Sequence, residues 1–157
     1  MPKLHLAPFC FAAFLVNPLS TFPAFSQIPS AHDHPHFIVQ APSGLASPLK
    51  GRLLIFLKSG SGDKEVNVDE FNPAFVWVGA REVQSLAAGE SIEIDPDAEG
   101  IAYPAPFASI TPGDYEVQAV LDVDHNYNYS GRGPQDWVSP VVSLPHWSPG
   151  GSAPLCN

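Results

Sequence analysis

Between residues 36 and 145, short apolar runs alternate with polar breaks rich in glycine and proline, and each run has the length of a strand rather than a helix. The first run, 36–41, is closed by Pro42. The second, 51–58, is almost continuously apolar, the pattern of a central strand covered on one or both faces. The Ser-Gly-Ser-Gly-Asp stretch at 59–63 ends it, and 64–74 is polar and irregular. Residues 75–81 predict a third strand, with Phe75 and Trp77 on one face. In 90–95, Ile92 and Ile94 alternate with acids, as in a half-exposed strand. A proline-punctuated crossing follows, and then the clearest strand, 115–122, with Tyr115, Val117, Ala119 and Leu121 on one face. The last run, 137–144, is interrupted at Pro140 and reads as an edge strand or a bulge. Trp77 and Trp137 are expected in the core.

About six short strands with turns between them predict an all-β fold, an immunoglobulin-like antiparallel β-sandwich. The turn at Pro112-Gly113 followed by Tyr115 predicts a tyrosine corner, in which the phenol hydroxyl bonds back to the preceding loop. The 18 prolines reinforce the choice of class, because proline inside a helix costs about 3 kcal/mol.

The first 26 residues stand apart. Lys3 gives a positive start, 4–25 is apolar, and Ala24 and Ser26 place small residues at −3 and −1 of a cut before Gln27. That order predicts a signal peptide and export to the periplasm or the extracellular space. Pro8, Asn17, Pro18 and Pro23 make the same stretch a poor membrane span. The expected organisation is a signal peptide at 1–26, a flexible leader at 27–35, the sandwich at 36–145 and a Pro/Gly-rich tail at 146–157. Loss of the signal removes Cys10 and leaves Cys156 without a partner in its own chain, so the expected state is a monomer, with a Cys156-linked dimer as the alternative.

Charge narrows the partners. The chain holds 16 acidic and 7 basic side chains, for a net −9, and cleavage before Gln27 removes Lys3 and brings this to −10. An acidic surface repels phosphate backbones, which excludes nucleic acid and leaves an unidentified protein or carbohydrate ligand.

The motif content of the chain favours a non-catalytic role. There is no Gly-x-Ser-x-Gly, no Cys-x-x-Cys and no His-Glu-x-x-His, so no nucleophile elbow, redox pair or zinc signature is expected. Three constellations remain as candidate sites. Asp122, Asp124, Asn126 and Asn128 set oxygen-bearing side chains at every second position, a spacing that calcium loops use. The sixth position, however, is Tyr127 rather than glycine, and the twelfth is Gly133 rather than glutamate. Calcium is therefore expected to bind weakly if at all, and a polar hairpin is the alternative. His32, His34 and His36 alternate near the mature start and would project imidazoles to one side of an extended chain, a good ligand type for copper, nickel or zinc. Tyr127, Tyr129 and Trp147 are candidates for an aromatic surface that would take a sugar or a protein. No other cofactor is expected.

The strings at 51–57 and 111–122 together resemble the N-terminal β-sandwich region of secreted bacterial proteins related to enterochelin esterase and esterase D. The resemblance spans about residues 36–145. In those proteins the region precedes an α/β-hydrolase domain. The resemblance implies an accessory module, or the front piece of a longer esterase-like enzyme, and it transfers no catalytic residue.

Overall fold

The computed structural model describes residues 34–98, 101–128 and 131–157. The signal peptide, most of the leader, His32 and Tyr129 lie outside the described residues. Among the described residues nine strands follow in order: β1 (Phe37–Gln40), β2 (Leu49–Ser59), β3 (Val76–Leu86), β4 (Ser91–Ile94), β5 (Ala102–Tyr103), β6 (Gly113–Asp122), β7 (Trp137–Val138), β8 (Val142–Trp147) and β9 (Leu155–Cys156). They form two sheets. The larger has the order β5-β3-β2-β6-β7, with β8 also on β6, and the smaller has the order β4-β1-β9. All pairings are antiparallel except β1 with β9. The protein is an all-β sandwich.

The main core lies between the sheets. Its side chains come from alternate positions, Leu53, Ile55 and Leu57 of β2 and Tyr115, Val117, Ala119 and Leu121 of β6, packed on Phe37, Val39 and Ile94 of the small sheet. The period-two pattern of 115–122 thus sits on the core side as expected. A row of rings closes one end: Phe37 meets Phe107 edge-on at 5.7 Å and lies stacked on Trp147 at 6.1 Å, and Trp147 meets Tyr115 edge-on at 5.6 Å. The Tyr115 hydroxyl donates to the Thr111 carbonyl at 2.7 Å, the corner foreseen from Pro112-Gly113.

The other face of the large sheet is also buried, which explains why 51–58 is apolar on both sides. Leu54, Phe56, Val76, Ala80 and Val120 form a second, smaller core, joined by Val66 from the loop 60–72 and by Tyr127 from the loop after β6. Polar side chains of β6 hold these loops down. The Glu116 carboxylate accepts from the amides of Gly62 and Asp63, the Gln118 carbonyl oxygen accepts from Val66, and Asp122 accepts from Asn126 and Tyr127. Burial of such groups is tolerated because each is hydrogen-bonded. Gly51 has φ +148°, and a Cβ there would stand 2.6 Å from the Asp122 carbonyl oxygen, so β2 and the end of β6 approach too closely for any side chain.

Several expectations need correction. Phe75 does not share a face with Trp77: it ends a 3-10 turn (Pro73–Phe75) and is 68% exposed, whereas Trp77 is partly buried against the core. Trp137 is 43% exposed on the short β7 rather than in the core. Pro140 splits the last run into two strands, and β7 and β8 occupy successive stretches of one edge of β6. Segment 146–157 is not a loose tail, since it carries Trp147 into the core and supplies β9 to the small sheet. Cys156 on β9 is fully buried, and burial pushes its thiol up to about 12, so the thiol is neutral and shielded from the partner that a linked dimer would require. Among the described residues, no helix is long and apolar enough to cross a membrane.

Candidate functional site

Asp122, the first oxygen of the candidate calcium loop, is fully buried and turned inward. One carboxylate oxygen accepts from the Asn126 amide at 2.9 Å, and the other accepts from Arg52 at 2.6 Å and from the Tyr127 amide at 3.2 Å. Burial alone would raise this carboxyl, but the Arg52 guanidinium and then the two amides outweigh it and hold the group below its ordinary value. Asp124 and Asn126 are exposed, the Asn126 side-chain amide lies against Gly133, and the Asn128 side-chain amide donates to the Asn126 carbonyl. The alternation at 122–128 therefore folds as a turn tied to its own acids, because Asp122 is drawn to Arg52 across the β2–β6 pair.

The two described histidines of the alternating tract, His34 and His36, also find carboxylates. β1 and β4 pair antiparallel, which sets His34 and His36 beside Glu93 and Asp95. His34 Nδ1 lies 3.1 Å from Asp95 Oδ2, and His36 Nδ1 lies 2.9 Å from Glu93 Oε1. The other Asp95 oxygen accepts from the Asp97 and Ala98 amides. Burial pushes the Asp95 carboxyl up, but the Ala98 amide, His34 and the Asp97 amide together bring it below the usual value. Among the described residues, no three His, Cys, Asp or Glu side chains come together in an arrangement that could hold a metal ion.

These two depressed carboxyls set the sign of the acid response. A folded-state value below the unfolded one contributes stability that is present above the unfolded value and is lost as pH falls through the folded value. The melting temperature should hold steady down to about pH 5 and then fall steeply below about pH 4. Thermal unfolding followed across that range checks this, and Asp95→Asn should flatten part of the acid limb.

The aromatic surface is the constellation the structure redraws most. Trp147 belongs to the core, and Tyr127 leans on Phe56 at 5.2 Å while its hydroxyl accepts from the Val68 amide at 3.4 Å. One edge of Tyr127 nonetheless reaches a groove of about 410 Å³ on the outer face of the large sheet, lined by Val68, Val78, Tyr103, Tyr127 and Asn128. The lining is mostly apolar. It forms where β5 pairs with β3 for only two residues, Val78 with Tyr103 and Gly79 with Ala102, and the covering loops stop short. Tyr103 is 47% exposed. Phe71 and Phe75, on the segment that leads from Val68 into β3, are 83% and 68% exposed, and Ile101, beside β5, is exposed as well. Exposed apolar side chains that form a contiguous patch are the usual mark of an interaction surface. Val68, Val78 and Tyr103 were not singled out in the sequence; the one available signal was an aromatic residue next to Pro104, inside a crossing with no strand pattern. A smaller hollow of about 70 Å³ opens between the sheets, with Leu53, Leu121, Trp137 and Cys156 among its walls.

No family model, no curated protein and no solved structure matches this chain.

Proposed function

We propose that this chain is an exported, non-catalytic binding module that takes a protein or carbohydrate ligand in the groove beside Tyr103 and Tyr127. The groove carries the reading. It joins an apolar floor (Val68 and Val78) to two tyrosines and one amide, and it lies on a sheet that two packed cores hold in place. Aromatic rings supply large contact area at small entropic cost, and a stiff sheet keeps them in position before the ligand arrives. The acids that a catalytic reading would recruit, Asp95 and Asp122, are committed to internal hydrogen bonds. The resemblance to modules that precede esterase domains is read in the same way: the chain contributes a surface, not reacting groups.

The test is residue-level. A panel of soluble oligosaccharides and peptides is titrated into the isotope-labelled protein, and amide shifts are mapped by NMR. Hits should move Val68, Val78, Tyr103 and Asn128 together, and Tyr103→Ala should weaken them about tenfold, the loss of one aromatic anchor. Shifts that gather elsewhere, or affinity indifferent to Tyr103→Ala, would rule the groove out.

A further inference from the structure

The charges around the groove go further than its shape. Asp69 and Glu70 directly follow the lining residue Val68, and Asp124 precedes Asn128 in the loop that forms the opposite side. All three are exposed and none is in an ion pair with a described residue, although one Asp69 oxygen accepts from the amides of Phe71 and Asn72. Arg132, the cation that interacts with Tyr127, is already committed. Its guanidinium donates to the Val66 carbonyl and the Gln118 side chain and stands 3.2 Å from the Glu65 carboxylate. The same commitment recurs elsewhere: Arg52 is held by Asp122 and Lys58 by Asp63. In a chain with 16 acids and 7 bases, Arg52, Lys58 and Arg132 are thus each tied to an acid, while exposed carboxylates stand on the segments that carry Val68 and Asn128.

On the basis of the groove reading above, we infer that the occupant is an extended, lysine- or arginine-bearing segment of a partner protein. Such a segment matches both halves of the surface. Its methylene stems lie along Val68, Val78 and the tyrosine rings, while its charged ends meet ring faces and the Asp69, Glu70 and Asp124 carboxylates. An anionic ligand would be repelled. A neutral sugar would find few polar partners, since the lining offers mainly Tyr103 and the Asn128 amide, and that amide already donates to the Asn126 carbonyl.

The probe is a fluorescently labelled, unstructured peptide in which lysine and arginine alternate with leucine. A peptide with glutamate at the charged positions and a neutral hexasaccharide serve as comparisons. Anisotropy titrations with the full exported chain should show binding of the basic peptide alone. Its affinity should drop at least about tenfold when salt rises from about 0.02 M to about 0.3 M, as charge attraction is screened. At fixed low salt, Tyr103→Ala and the double change Asp69→Asn with Glu70→Gln should each weaken it by about fivefold to tenfold. Phe71→Ser, on the exposed segment that follows Val68 and outside both cores, provides a second variant that does not threaten the fold. Binding of the basic peptide that ignores both Tyr103→Ala and Phe71→Ser would reveal general attraction to an acidic protein and overturn the inference. Failure of that peptide to bind would do the same. Tyr103-dependent binding of the hexasaccharide alone would preserve the groove as the binding site and replace the cationic occupant. Saccharide binding indifferent to Tyr103→Ala would overturn both readings.

Discussion

Asp122→Ala is expected to lower the unfolding free energy by about 3 kcal/mol, the low end of what breaking a buried ion pair costs. The side chain is fully buried and serves three donors at once: the Arg52 guanidinium and the amides of Asn126 and Tyr127. Alanine leaves all three without their acceptor. Arg52 is partly exposed and can turn to water, which keeps the cost from reaching the top of the range. The two amides are anchored in the chain and have no such freedom, so the loop after β6 should open and uncover Phe56 beneath Tyr127. Urea denaturation read by tryptophan fluorescence gives the energy, and hydrogen exchange at Asn126 and Tyr127 reports the loop. Asp122→Asn, which keeps an acceptor but loses the charge, should fall between wild type and alanine. A loss below about 1 kcal/mol for alanine would show that the loop is held by other means.

Trp147→Ala should be at least as damaging, at about 3–5 kcal/mol, the range for emptying a large aromatic site in a packed core. The indole is stacked on Phe37 and meets Tyr115 edge-on, so its loss removes one side of both rings. Its approach is guided from the main chain. His146 adopts φ +54°, its amide donates to the Asp114 carboxylate at 2.8 Å, and the β6–β8 register shifts between Gly113 and Tyr115. Trp147→Phe retains most of the apolar area and should cost markedly less. Equal losses for the two variants would mean that the indole shape, rather than cavity formation, governs the site; both midpoints can be read from far-ultraviolet dichroism on heating.

Trp147 also shows where sequence reasoning reaches its limit. Periodicity made β2 and β6 visible because each is long enough to display an alternation or a covered run, and the Pro112-Gly113-Asp114-Tyr115 sequence carried its corner in four residues. β5 and β9 have two residues each, too few to show any period. β9 is embedded among prolines and glycines that read locally as a linker. What makes it a strand is the edge of β1, more than a hundred positions away, where the Ile38 amide donates to the Pro154 carbonyl. The same distance effect reassigned the site residues. Asp122 looked like a ligand because its neighbours alternate, whereas Arg52, seventy residues earlier, determines its direction. Tyr127 kept a place at the surface but brought Val68, Val78 and Tyr103 with it, residues from three other segments that no local spacing links.

The parallel pairing of β1 with β9 gives the sandwich a mechanical character. Two strands that run the same way, one entered from the leader and the other left toward residue 157, are loaded along their length when the polypeptide is pulled from both sides. Ile38 with Leu155 and Val39 with Cys156 then resist in shear and must yield together, instead of opening one after another like a zip. Behind them β1 is still clasped by the four antiparallel rungs to β4. Tension carried through the chain therefore meets the small sheet first, while the large sheet, with the groove on its far face, stays outside the line of force.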